Sequence, residues 1–460
     1  MLKSSFVLDR RHVLKGLLAA SAAAAAPGFA FANTQADAVL FTIADLHAPY
    51  ARLPALLEQL KTLRDDAGVP SAVLINGDIF ERGNVVCTRS GGLAEWAFLS
   101  ALAAEMPVVI NLGNHEVAIY DDMSTFVAKA DQAGVSVISN LLDKRTGRFF
   151  APVSDRLGLG GVDISLLGLA ATNPFVYRKP ARDTLTFLDT AQFVSDALPD
   201  AGADADLKVI MSHAGVSADK TFIDSLPESS VIQGAHDHLD FAMNHKGVPY
   251  FHGASWGTQI GVLELFKGPD GVTTRYRSEA VEPVAGDAAL ADVVATQMSE
   301  HLTDEDKEII ADIPQSFDVH NSILQATEAM RQATGADIAM IGHTTFGAPL
   351  SQGPLSRFDF NAFVRFGGGL QVAEVSGDQL LPMLARANQF AAKDLEGRTG
   401  DYVHVADHDI DPSGKYRLAV NAWTAMNQKA YLGTEDLPFQ DVEGLELKAV
   451  ISDHLAKTFG

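Results

Sequence analysis

Five times along this chain a short apolar run ends in side chains able to hold a metal ion. The run 38–43 delivers Asp45 and His47, and 72–75 delivers Asp78. The run 107–112 delivers Asn114 with His115 beside it. The run 207–212 delivers His213, and the run beginning at Val231 delivers His236 and His238. Apolar runs of this length, bounded by Gly, Asn and Asp, read as buried strands. Helical spacing fills the intervals: Leu53, Leu56, Leu57, Leu60 and Leu63 predict a helix over 51–66, and further helices are expected over 93–105 and 122–133. Strand alternating with helix predicts an α/β layered fold. Such folds gather ligands at the mouths of their parallel strands.

In an extended segment residues two apart point the same way, so Asp45 with His47, and His236 with His238, can each serve one centre. Gly77 permits a sharp turn before Asp78. The full donor set is Asp45, His47, Asp78, Asn114, His213, His236 and His238. It mixes carboxylate and amide oxygen with imidazole and has no thiolate, which suits manganese, zinc, iron or nickel. Seven donors exceed the needs of one ion and suit two divalent ions bridged by Asp78. Paired ions of this kind clamp the attacking and leaving oxygens of an in-line displacement. His115 is then left over to act near the leaving group. Glu116 is expected to support the ligands rather than join them.

A formal charge of −23 excludes a nucleic-acid polymer as partner, because that needs a basic surface. An acidic surface also repels anionic substrates, so a phosphate site here needs local positive charge, which metal ions supply. Cys87 is the only cysteine, so no intramolecular disulfide forms; it reads as a small, partly buried hydrophobe.

Residues 1–32 read as an export signal. Arg10-Arg11 precedes an alanine-rich apolar stretch and Ala30-Phe31-Ala32, with cleavage expected after Ala32. The pair resembles a twin-arginine signal, implying the twin-arginine machinery as partner and a periplasmic or secreted product. The stretch is too short for stable membrane insertion. Residues 33–285 form the first expected domain, with 172–190 a surface excursion. Residues 286–315 are expected to form a linker helix region, helical over 288–312. A second domain is expected over 316–460, with strands at 337–341, 370–375 and 416–420 and helices at 323–334 and 378–390. His245 and His252 are expected to be structural, and His320, His404, His408 and His454 solvated.

Asp45-x-His47, Gly77-Asp78, Gly113-Asn114-His115-Glu116, His213 and Gly234-x-His236-x-His238, in that order, resemble the calcineurin-like metallophosphoesterases. Ala336 to Ala339, Phe366-Gly367 and Val375 to Leu380 look like the C-terminal domain of the 5′-nucleotidase family. The resemblance implies a four-layer α-β-β-α sandwich followed by a smaller α/β C-terminal, substrate-binding domain. It implies one ion held by Asp45, His47, Asp78 and His238, and another held by Asp78, Asn114, His213 and His236. His115 would protonate the leaving oxygen or stabilise the transition state, while a metal-activated hydroxide attacks phosphorus. The implied substrate is a small organic phosphate, with nucleotides the default. A sugar phosphate, a phosphodiester or a sulfur-linked sulfonate is the alternative, as is a metal-retaining binding protein with little turnover.

Three positions depart from the family pattern. Ala118 stands where an acidic partner of the catalytic histidine is usual, with Asp121 or Asp122 as possible substitutes. Gly347 falls about where a substrate-binding arginine would lie. The segment 421–427 replaces a glycine-rich stretch that contributes to the base clamp. Substrate contacts are therefore expected from Arg82, His343, Arg365 and Phe366.

Overall fold

A computed structural model describes residues 35–460; the export signal and its cleavage point lie outside the described residues. Ala38–Ala44 is buried along its whole length because it has a layer on each face. Its residues alternate as a pleated strand requires. Val39, Phe41 and Ile43 pack into a helical layer, while Ala38 and Leu40 pack against a second sheet.

The first sheet has six strands, in the order Gly271–Ala280, Gln259–Gly268, Ala38–Ala44, Ser71–Asn76, Val108–Asn111, Ser136–Ile138. Its last four strands are mutually parallel, so Ala44, Asn76 and Asn111 share one end. The second six-stranded sheet runs Asp240–His245, Val248–Gly253, Ser230–Gly234, Leu207–Ser212, Val162–Leu169, Ser154–Leu159. Its middle strands are parallel too. Leu40, Leu74 and Val109 meet Ile164, Leu166 and Val209 between the sheets. Helices Leu53–Ala67, Leu93–Glu105 and Met123–Gln132 cover the outer face of the first sheet, and Thr190–Ala201 that of the second. This is the expected α-β-β-α sandwich.

The two sheets are joined at their shared end by buried amides. Asn111 Nδ2 lies 2.8 Å from Asn76 Oδ1, 2.8 Å from the Leu169 carbonyl and 2.9 Å from that of Met211. Asn76 Nδ2 donates to the Ser212 and Gln233 carbonyls, and Gln233 Nε2 donates to that of Ile43. Buried amides need partners, and here the partners are peptide groups at the ends of neighbouring strands, most of which carry the donors.

Two expectations change. The helix starting at Ala288 stops at His301, and Ile309–Ile313 is instead a strand antiparallel to Gly353–Ser356. Residues 302–308 are rich in acids but lack apolar side chains at helical spacing, so nothing extends the helix's buried face of Leu290 and Val294. The polar segment 172–190 is more than a surface excursion. It buries Tyr177, Ala181 and Leu185, and Arg178 Nη1 donates to the carbonyls of Val117, Ala118 and Tyr120. It therefore braces the turn that carries Asn114 and His115. Beyond residue 308 a four-stranded sheet, ordered Ile338–Ala339, Lys415–Asn421, Gly369–Ser376, Gln440–Glu446, is flanked by Val319–Thr334 and Leu447–Phe459. No helix among the described residues is long and apolar enough to cross a membrane.

Candidate metal centre

Three of the strand mouths turn sharply. Asp45, His47, Asp78, His236 and His238 have φ of 48°, 51°, 55°, 78° and 54°. Non-glycine residues rarely adopt this left-handed region, and each such residue costs about 1–3 kcal/mol unless its surroundings hold it. The turns aim side chains from both sheets into one space. Gly77 and Gly113 keep that space open: a Cβ on Gly77 would lie 2.5 Å from His213 Nδ1, and one on Gly113 would overlap the Asp78 carboxylate.

The donors form two adjoining groups. Asp45, His47, Asp78 and His238 converge on one point, and Asp78, His213 and His236 on another. His47 Nε2 lies 2.9 Å from His238 Nε2 and 3.6 Å from Asp78 Oδ2. His213 Nε2 lies 3.3 Å from Asp78 Oδ1 and 3.8 Å from Asp45 Oδ1. The backbone orients the donors: His213 Nδ1–H donates to the Asn76 carbonyl at 2.9 Å, and the His236 and His115 amides donate to Asp45 and Asp78. Asn114 Nδ2 donates to the Val176 carbonyl at 3.4 Å. His213 Nε2, His236 Nδ1 and Asn114 Oδ1 are buried without a hydrogen-bond partner. Buried polar atoms seldom stay unpaired, and the orphaned nitrogens of His213 and His236, which converge with Asp78, fit a cation.

The protein's own field keeps three of the donor imidazoles neutral and favours a proton on the fourth, His213. Burial pushes the pKa of His47 down to about 4 and that of His236 to about 3, and takes His238 well below its usual value. Neutral imidazoles offer lone pairs at ordinary pH. Burial, reinforced by the Asp78 carboxylate, raises Asp45 to about 7. Burial opposes ionisation of Asp78 as well, but the His213 and His115 imidazoles outweigh it and hold this carboxyl well below its usual range. Burial also disfavours charge on His213, yet Asp78 and Asp45 raise it to about 10. Two close carboxylates facing imidazoles share charge this way because burial magnifies each pairwise interaction.

His115 stands at the rim, with His47 edge-on to its ring at 4.7 Å. Opposite it the C-terminal part contributes Arg365, whose Nη2 donates to His115 Nε2 at 3.1 Å. Arg365 also forms a buried pair with Glu81 at 2.8 Å. His343 Nε2 donates to the His238 carbonyl at 3.3 Å, and Phe366 is half exposed beneath the Arg365 guanidinium. Arg82 is not brought to the site: it is exposed, and the neighbouring Glu81 turns inward instead. His404, expected in solvent, is buried between His343 and His320, each 2.8 Å from one of its ring nitrogens. Asp121 pairs with Arg178, and Asp122 caps the helix Met123–Gln132 and pairs with Arg145, so neither approaches His115.

Glu81 and Trp256 also line the site, though neither was expected there from the sequence. Glu81 follows Asp78 by three residues on the same turn, a signal overshadowed by the adjacent arginine. Trp256 stacks on His47 at 5.0 Å and lies beneath Arg365, and a Cβ on Gly347 would overlap its ring. No local pattern could reveal that contact, since it joins positions 47, 256, 347 and 365.

The calcineurin-like phosphoesterase family matches residues 40–259, and the 5′-nucleotidase C-terminal domain matches 311–406. This chain is a metal-dependent phosphoester hydrolase. More narrowly, it carries a calcineurin-like phosphoesterase domain followed by a 5′-nucleotidase C-terminal domain. It is 21% identical over 370 residues to the uncharacterized metallophosphoesterase YunD of Bacillus subtilis, covering 76% of this chain and 77% of that one. Two solved structures share its fold. A 5′-nucleotidase precursor from Thermus thermophilus is 18% identical with a TM-score of 0.60, covering 92% of this chain and 96% of that one. The sulfate thiohydrolase SoxB of the same organism is 14% identical with a TM-score of 0.63, covering 93% and 95%.

Proposed function

We propose that this protein hydrolyses a small organic phosphate at a two-metal centre. Asp45, His47, Asp78 and His238 would hold one divalent ion, and Asp78, Asn114, His213 and His236 the other. The observation that carries this reading is the set of buried, unpartnered donor atoms on Asn114, His213 and His236. When bound, such ions polarise the phosphoryl oxygens and activate water. The chain's own residues do the rest. Asp78 spans both positions and His115 meets the leaving oxygen. Arg365 donates to a non-bridging oxygen or to an anionic part of the substrate, while Phe366 offers a half-exposed ring to the organic part. The twin-arginine-like pair Arg10 and Arg11 supports export, with the working enzyme outside the cytoplasm.

Nucleotides are the first substrates to test. One observation favours a non-nucleotide ester, either another phosphate or a sulfur-linked sulfonate: the Trp256 ring leaves no room for a side chain at Gly347, and Arg365 enters from a different segment. The test is metal content together with manganese-supplemented hydrolysis of AMP, a cyclic nucleotide and an aryl phosphate. Strong preference for AMP supports the nucleotidase reading, and cleavage of the aryl phosphate alone supports the second. No turnover on any ester class by fully loaded protein overturns both.

A further inference from the structure

Glu81 is 2% exposed, and its two oxygens are occupied differently. Oε1 accepts from the Gly83 amide at 2.9 Å, which fixes the carboxylate plane. Oε2 accepts from Arg365 Nε at 2.9 Å and faces two imidazoles, His47 Nδ1 at 3.3 Å and His115 Nδ1 at 3.7 Å. Arginine only donates. His115 Nε2, 3.1 Å from Arg365 Nη2, is therefore the acceptor nitrogen, and the ring proton sits on Nδ1. That Nδ1 is buried, has no hydrogen-bond partner, and looks toward Glu81. Position 118 is alanine, and Asp121 and Asp122 are paired elsewhere. Among the described residues Glu81 is the carboxylate facing this nitrogen.

We propose that Glu81 is the positioning residue of His115: its Oε2 accepts the Nδ1 proton and turns Nε2 toward the leaving oxygen. Hydrogen bonds at catalytic groups are often long without substrate and tighten when it binds. Arg365 is the element that releases the ring, because a guanidinium drawn onto an anionic substrate frees the His115 Nε2 lone pair to take up a proton from solvent, and that proton then passes to the leaving oxygen while Glu81 keeps its hold on Nδ1–H. This rests on the proposed role of His115 at the leaving group.

The experiment is a double-mutant cycle between Glu81→Gln and His115→Ala on the manganese-loaded enzyme, read with phenyl phosphate and 4-nitrophenyl phosphate. Metal content and thermal melting are measured for every variant. Glu81→Gln keeps the Gly83 contact and removes the charge. The expected loss in kcat on phenyl phosphate is about 10–100-fold, smaller on 4-nitrophenyl phosphate, whose leaving group needs little protonation. Metal content is retained, and the second substitution adds no loss once His115 is alanine. Glu81→Asp, which keeps a charge opposite Arg365 but shortens the arm, carries the same test if the amide variant does not fold. Equal losses on both substrates, additive losses in the cycle, or a loss explained by missing metal overturn the proposal; the last would assign Glu81 to His47 alone. No turnover by the loaded unmodified enzyme overturns the hydrolase reading and this proposal with it, whereas turnover with additive losses overturns this proposal alone.

Discussion

The ligand cradle and the wall facing it are built in opposite ways. The cradle is assembled from strand ends, each with its donors within a few residues of the last paired position, and amide bridges from Asn76, Asn111 and Gln233 lock it from below. The wall is assembled from single side chains at distant positions: Trp256, His343, Arg365 and Phe366. Strand mouths hold donors in fixed relation because the sheet hydrogen bonds fix the strand ends. A wall of separate side chains can be exchanged one at a time. If the proposed roles hold, chemistry sits on the fixed part and selectivity on the exchangeable one.

That division can be broken by experiment. The largest expected effect is His115→Ala, which should lower kcat by about 10²–10⁴-fold, the usual scale for a general acid or base. Metal content should not change, because His115 belongs to neither donor group of the proposed pair of ions. A comparable loss of metal would show that rim and cradle are one unit.

Next is Asn111→Ala beneath the cradle. It removes the donor to Asn76 Oδ1 and to the Leu169 and Met211 carbonyls; the Leu169 carbonyl keeps the His213 amide, and each acceptor left unpaired costs about 1–3 kcal/mol. Denaturant melts should show several kcal/mol lost, with metal affinity falling alongside. Intact metal affinity would mean the strand ends hold their donors without the bridge.

A third test asks whether stability of the first layer can be changed apart from the site. Glu95 is fully buried against Tyr50, and burial raises its carboxyl to about 7. Its folded pKa lies above the unfolded value near 4.5, so the folded state holds the extra proton between the two. Stability from this group is fully present below about 4.5 and is lost as pH rises through 7, by about 3 kcal/mol. Glu95→Gln should remove that slope. Melts of both proteins across this range check it, and parallel curves would contradict it.

The smallest effect is expected at the wall. Arg365→Met should raise KM about tenfold, near the 1.4 kcal/mol lower end for a charge-assisted contact, with a lesser change in kcat. An effect confined to kcat would place Arg365 in the chemistry rather than in binding.

How much of this was legible in the sequence follows the same line. Asp45-x-His47 and His236-x-His238 could be read because each pair closely follows an apolar strand, but the extended geometry expected of them is not what delivers them: all four lie in left-handed turns beyond the strand ends, and His236 and His238 fall in different donor groups. The helix over 93–105 was readable from its composition and spacing, and the central strands of both sheets from their apolar runs. Gly271–Ala280 was missed, because as an exposed edge strand it mixes Thr, Arg and Ser where a buried strand would show an apolar run. Glu81 and Trp256 were hidden by distance. Glu81 acquires its meaning from Arg365, which lies 284 residues away, and Trp256 from the missing side chain at Gly347. His404 reads as polar and solvated in isolation and is buried because two other histidines meet it.

The most direct test of the central claim is metal stoichiometry by mass spectrometry on the purified enzyme and on Asp78→Asn. Two divalent ions per chain are expected in the unmodified protein. In the variant both are expected to be lost together, because one carboxylate serves both positions. A single ion in the unmodified protein, or one ion retained at full affinity in the variant, would contradict the claim.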